Sequence, residues 1–294
     1  MAHILFLSFS FAAVLVAVDF FLDYKEAKTG KLTELIPGLI TIIVVYGVIQ
    51  YLLFYSFPSI EVLSIEMKGL VPDSNLNYLS FGWLSISITV VILIATFYFS
   101  GLVDYVIHRW FSHSRWFWFT HEYHHIPSIV SNWMPGIVVR PFSIVSVAPQ
   151  IILTLSFYTA LFYLLGLPPF FYSAIYIIFA LHVAILVWIH SSSLRKYWWI
   201  HKILKPIGVT TPQEHIFHHT TNPNRNYANL TTIWDKVFGT YVDPLKVSYD
   251  PSEVGLSYNQ DFLGAITANQ FHVPKQYHKF FLVGTLCNWR KKDK

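Results

Sequence analysis

The sequence predicts an all-α protein: a multi-span membrane helical bundle with a cytoplasmic, histidine-rich metal-binding cap, built as a single domain over residues 1–294. Three observations predict it. The 294 residues are 54% hydrophobic and 18% aromatic but only 12% charged, about half the charge of a soluble domain. The apolar residues gather into runs of bilayer length, about twenty residues each. Outside those runs, eight of the 14 histidines fall in two boxes. The net charge of +4 is small and lies mostly in loops and at the C-terminus, which argues against nucleic-acid binding and suits a membrane surface. The single cysteine, Cys287, excludes an internal disulfide and a cysteine metal site.

In chain order, the predicted spans are residues 4–22, 35–57, 83–103, 142–165 and 170–189. The first lacks the basic start and small-residue cleavage site of a signal peptide and reads as a retained helix. Lys25, Lys28 and Lys31 follow it, whereas the loop after the second span carries Glu61, Glu66 and Asp73 against Lys68. Lysine-rich loops stay cytoplasmic, so the N-terminus faces out, the first loop in, the acidic loop out and region 104–141 in. Two further crossings, separated by the break at Gly166–Pro169, return the chain to the same side, so region 190–294 is cytoplasmic as well. Both histidine boxes can therefore meet there. The tail Lys291-Lys292-Asp293-Lys294 resembles a dilysine retrieval signal, which points to the endoplasmic reticulum in a eukaryote; in a bacterium the address is the cytoplasmic membrane.

The first box comprises His108, His113, His121, His124 and His125, and the second His215, His218 and His219. Both contain H-x-x-H-H. Residues three and four apart share a helix face, so each box is expected to present three imidazoles to one point. Neutral imidazole is the commonest metal ligand, and so many imply a centre with more than one ion. Five residues of helix turn through about 140° off face, so His108 and His113 are expected to serve different metals unless the helix ends between them. His190, at the end of the fifth span, is level with the boxes and is a ninth candidate ligand. His182 lies deeper and is a candidate ligand or a polar neighbour of the substrate path. Asp104, one turn before His108, is a candidate to accept the second imidazole proton of that histidine, or to make a helix-end contact.

The aromatic residues of region 104–141 are expected at the headgroup level or packed about the site. Residues 190–208 read as a short basic interfacial helix, with Trp198, Trp199, Ile200 and Leu204 beside Arg195, Lys196, Lys202 and Lys205. These charges suit lipid phosphates or an acidic electron-transfer partner. Thr211-Pro212-Gln213-Glu214 is a helix start, with a capping box and proline in the first turn, which makes Glu214 a cap rather than a catalytic acid.

Three chemistries use such residues. Soluble di-iron bundles pair Glu-x-x-His motifs, and only Glu122–His125 offers that spacing. His121-Glu122-x-x-His125 matches a zinc metalloprotease, with Glu122 as general base. One zinc needs three protein ligands and an open position, however, and leaves most of the other histidines without a role. A pair of irons held by many histidines accounts for all of them. A non-catalytic membrane metal-binding protein is the remaining alternative.

The order of the boxes, the segment Asp104–Arg109, the isolated His190 followed by Ser191, and the run from Asn226-Tyr227 to Trp234-Asp235-Lys236-Val237-Phe238-Gly239-Thr240 resemble the fatty acid hydroxylase and sterol desaturase superfamily, over roughly His108 to Thr240. The resemblance implies a membrane non-haem di-iron oxygenase that uses dioxygen and two electrons to hydroxylate or desaturate a sterol, fatty acyl or alkyl-glycerol lipid. It implies two iron ions held by His108, His113, His121, His124, His125, His190, His215, His218 and His219, with zinc as a substitute in purified protein. Asn226 and Tyr227 would support the ligands rather than bind metal. A separate donor such as cytochrome b5 or a ferredoxin with its reductase is implied, because no haem segment is fused to the chain. Two positions depart from the family pattern. Four residues separate His108 from His113 where relatives often have three, and Ala228 stands where many relatives have glycine. Asn226-Tyr227-Ala228 is similar to methylsterol oxidases, whereas Thr211-Pro212 is similar to the alkylglycerol monooxygenase branch.

Overall fold

A computed structural model describes residues 10–11, 13–22, 83–114, 117–118, 121–125, 130–132, 153–154, 156–157, 184–185 and 187–255. Among these the secondary structure is helical, and backbone pairing outside helices is confined to isolated bridges, Val209 with Thr231 and Thr220 with Val254. Among the described residues one helix is long and apolar enough to cross a membrane, over Val90–Ser112, and Ala13–Leu22 is a shorter apolar helix. The runs at 35–57 and most of those at 142–165 and 170–189, with His182, lie outside the described residues.

We label the helices α1 (Ala13–Leu22), α2 (Trp83–Val106), α3 (Glu122–His125), α4 (Trp198–Leu204), α5 (Pro212–His215) and α6 (Ile233–Val237). Helix α2 runs three residues past the predicted end of the third span. It then widens into a π-helical turn, Ile107–Ser112, in which the His113 N–H donates to the His108 carbonyl at 3.0 Å. An i→i+5 bond absorbs one extra residue per turn, and such turns favour functional sites. Of the two expectations for His108 and His113, the second holds: the helix ends at Ser112, between them, and the wide turn lets both join one group. The α period would have set them apart.

Residues 207–234 grip the C-terminal half of α2. The Trp234 indole donates to the Tyr98 carbonyl at 2.8 Å, and the Tyr98 hydroxyl donates to the Ile207 carbonyl at 2.7 Å. Gly101 allows the loop before α6 to sit against α2, because a Cβ at that position would lie 2.3 Å from Thr231 Cγ2. In the last turn of α2, Tyr105 packs with Tyr227, Ala228 and Trp234. A second core, Val130, Ile216, Phe217 and Val254, backs the second box.

Helix α5 starts as its sequence predicts. The Glu214 carboxylate accepts from the Thr211 N–H and hydroxyl, each at 3.0 Å, and from the Tyr241 hydroxyl at 2.8 Å. Pro212 occupies the first turn. Burial pushes the Glu214 carboxyl above its usual range, and its donors are all structural neighbours.

Candidate metal centre

The nine histidines converge, but not box by box. His108, His113, His121, His125 and His218 form one group and His124, His190, His215 and His219 another, each with its ligand atoms within 4.8 Å of one another. The expectation that each box presents three imidazoles to one point is therefore corrected. In both boxes the residues four apart stay together, His121 with His125 and His215 with His219. The residue three after the first turns to the other group, His124 in one box and His218 in the other. The two short helical segments face each other, so one face of each serves two groups. The groups adjoin: the His125 and His219 rings stack with centroids 4.8 Å apart.

Hydrogen bonding fixes which nitrogens point inward. His108 Nδ1 donates to the Tyr227 carbonyl, and His218 Nδ1 donates to the Arg225 carbonyl at 3.0 Å. A carbonyl only accepts, so both protons sit on Nδ1 and both Nε2 atoms carry lone pairs. Those two Nε2 atoms are 3.0 Å apart. Two lone pairs at that distance make no hydrogen bond, and a cation between them turns repulsion into ligation. Two nitrogens about 2.1 Å from one cation lie about 3.0 Å apart when they subtend a right angle. The other pairs repeat the spacing: His108 with His121 at 2.9 Å, His113 with His218 at 3.1 Å, His190 with His215 at 3.0 Å and His215 with His219 at 3.1 Å. Both nitrogens of His125 are buried without a hydrogen-bond partner among the described residues, a cost that ligation removes. The donor set fits metal ions.

Burial, reinforced by neighbouring imidazoles, holds His121, His125, His215, His218 and His219 well below the usual imidazole range. They stay neutral, the form that binds metal. Trp118 is fully buried and stacks on His125 at 5.1 Å, walling one side of the first group.

Of the two readings of Asp104, the structure forms the helix-end contact. Asp104 accepts from the Asn229 backbone N–H at 2.9 Å and side-chain amide at 3.0 Å, so it anchors the loop against His108, and the His108 proton goes to the Tyr227 carbonyl. Asn226, at a positive φ of 48° that asparagine tolerates, donates to the Glu214 and Val242 carbonyls and accepts from the Val242 N–H. Asp235 accepts from the N–H groups of Tyr227 and Ala228 and from the Thr240 hydroxyl at 2.7–2.9 Å; burial pushes its carboxyl up to about 6. Asn229 and the Arg225 carbonyl were not singled out in the sequence. Asn229 lies two residues beyond Tyr227 without any spacing signal, and a backbone carbonyl has no signature at all.

Among the described residues, imidazoles alone gather into two adjoining groups that could hold metal ions, at the end of a helix long and apolar enough to cross a membrane. The chain belongs to the fatty acid hydroxylase family, whose model matches residues 89–240 and so contains all nine histidines. It is also similar to alkylglycerol monooxygenase of Danio rerio, 34% identical over 73 residues, a match covering 22% of this chain and 15% of that protein. No solved structure matches.

Proposed function

We propose that this chain is a multi-span membrane di-iron oxygenase that hydroxylates a lipid, with alkyl-glycerol lipids the favoured substrate class. The observation that carries the metal reading is the pair of all-histidine groups with inward lone pairs. The substrate class rests on the relative's name and on Thr211-Pro212. The bound metals supply activation of dioxygen for attack on a C–H bond; overall, R–H, dioxygen, two electrons and two protons give R–OH and water. His108 and His218 hold their lone pairs inward through the carbonyls of Tyr227 and Arg225. Trp118 and the aromatic residues around Tyr105 keep water from the first group. The electrons come from a separate acidic carrier protein of the cytochrome b5 or ferredoxin type with its reductase. The carrier docks on the cytoplasmic side, where Lys196 and Lys202 are exposed on and before α4.

The metalloprotease reading is not favoured. His121 and His125 share their group with His108, His113 and His218, a crowd that leaves no reason for an open position on a single zinc. The deciding measurement is metal content of protein purified from its native membrane together with lipid analysis of cells with and without it. About two irons per chain are expected, and zinc acquired on overexpression does not count because zinc outcompetes ferrous iron. A single ion that survives loss of His215, His218 and His219 would sink the proposal. Desaturation instead of hydroxylation would appear as a double bond without added oxygen.

A further inference from the structure

Helix α1 lies outside the family-matched residues, yet it carries a fully buried carboxylate, Asp19. Its outward residues Val14, Val18 and Phe21 are exposed and apolar, whereas Leu15 and Asp19, four apart and so on one face, are buried. Leu15 packs against Val187, three residues before His190, with Val16 and Leu194 alongside. Asp19 adds the polar part of that contact. Its Oδ1 accepts from the Ser191 hydroxyl at 3.0 Å, the Ser193 N–H at 3.1 Å and the Ser193 hydroxyl. Its Oδ2 accepts from the Asn132 side-chain amide. Four donors converge on one carboxylate with no cation among them. Such an arrangement satisfies a buried charge through hydrogen bonds alone.

The segments it joins are those that follow His190 and the first box. His190 is the one member of its group that comes from neither box, and it sits on the turn between residues 187–189 and the 3-10 helix Leu194–Lys196. No intrahelical ladder holds a turn in place. Ser191 supports it from within, accepting from the Leu194 N–H at 3.1 Å, and Ser192 reaches Ser131 at 3.3 Å. Asp19 ties these contacts to one point. His190 Nε2 then lies 3.0 Å from His215 Nε2 and 3.3 Å from His124 Nε2.

We propose that Asp19 is a positioning residue for the second histidine group: through Ser191, Ser193 and Asn132 it holds the His190 turn against the first box, so the metal centre requires α1 as well as the family domain. The proposal rests on the two-metal reading above. Asp19 touches no metal and acts only through His190.

The test is metal content and affinity of the full-length protein in detergent, with iron added back under reducing, oxygen-free conditions. The variants are Asp19→Asn, Asn132→Asp and the two combined. Asp19→Asn keeps the acceptor toward Ser191 and Ser193 but sets an amide against the Asn132 amide. The combined exchange restores one donor facing one acceptor and keeps one charge. The wild type is expected to hold about two irons, and Asp19→Asn to bind one of them about 10- to 100-fold more weakly while the other is unchanged. His190→Ala should weaken the same ion, the combination of Asp19→Asn with His190→Ala should be no worse than His190→Ala alone, and the exchanged pair should recover the ion. Unaltered binding of both ions in Asp19→Asn overturns the proposal. So does equal weakening of both ions, the signature of general destabilisation, or failure of the exchanged pair to recover the lost ion. A wild type that holds fewer than two ions refutes the two-metal reading instead.

Discussion

The five-histidine and four-histidine groups are built from the same two boxes but are supported in different ways. In the first, His108 and His218 each donate an Nδ1 proton to a backbone carbonyl, those of Tyr227 and Arg225. Both carbonyls belong to one loop, which Asp104 and Asp235 fasten through Asn229 and the N–H groups of Tyr227 and Ala228. In the second, Nδ1 of His215 and of His219 meets no partner among the described residues, and order comes from the helix-start contacts of Glu214 and from the turn after His190. An Nδ1 hydrogen bond orients an imidazole and raises its basicity as a ligand. On the two-metal proposal the first group would therefore be the tighter site, and the second would hold an ion by placement of backbone segments.

The largest expected effect separates the groups outright. His218→Ala should remove one ion from the first group, and His219→Ala one from the second, with lipid oxidation lost in both. Metal analysis of the two purified variants should show one retained ion each, and loss of both ions from either would erase the distinction. A graded version follows: on titration with a chelator, the ion that His219→Ala lacks should leave the wild type first. Release in the opposite order would refute the ranking drawn from Nδ1 support.

Next in size is the support itself. Asn229→Ala removes the amide that Asp104 holds beside His108 and should weaken the first-group ion about 10- to 100-fold, leaving the second unchanged in the same titration. Gly101→Ala acts one layer further out. Its Cβ would meet Thr231 Cγ2 at 2.3 Å, and such overpacking costs about 1–3 kcal/mol. A fall in thermal stability with both ions retained is expected, and a shift in metal stoichiometry would show that the loop register matters more than its packing.

A smaller effect concerns pH. The folded pKa values of His121, His125, His215, His218 and His219 are lowered by burial, so below about 6.5 the unfolded chain binds more protons than the folded one. Metal-free protein should thus be at full stability above that pH and lose stability as pH falls below it. Denaturant midpoints at pH 7.5 and 5.5 measure this, and a higher midpoint at the lower pH would contradict the burial of neutral imidazoles. The smallest effect is expected at Glu122. With the histidines as ligands it has no obligatory proton to carry, so Glu122→Gln should retain lipid oxidation. Loss of turnover with both ions still bound would revive the metalloprotease role of this carboxylate.

How much of the centre was legible depended on the range of the interaction. The start of α5 is local: Thr211, Pro212 and Glu214 satisfy backbone donors within one turn, and the structure forms the contacts their order predicts. Asp19 was legible in principle, as an ionisable residue inside an apolar run, but only its burial against Ser191 and Ser193 gave it a role. The single helix expected over residues 190–208 is instead a turn, the 3-10 helix Leu194–Lys196, α4 and a second 3-10 helix Lys205–Ile207, with Trp198 and Trp199 exposed but Ile200 buried.

By itself the sequence determined which donors are on offer, because imidazoles in paired H-x-x-H-H spacing, without cysteine, leave few others; it also determined the apolar character, which suits a membrane. Tertiary structure alone decided how those imidazoles are shared. Spacing reports which side chains lie on one face of one segment, but which group a face meets is set by the segment packed opposite, and so His124 and His218 each cross to the other group. The π-helical turn has the same origin. Its wider ring forgoes ideal α geometry, and convergence of His108 and His113 on His218 compensates, a contact 105 residues away in the chain that no local pattern encodes.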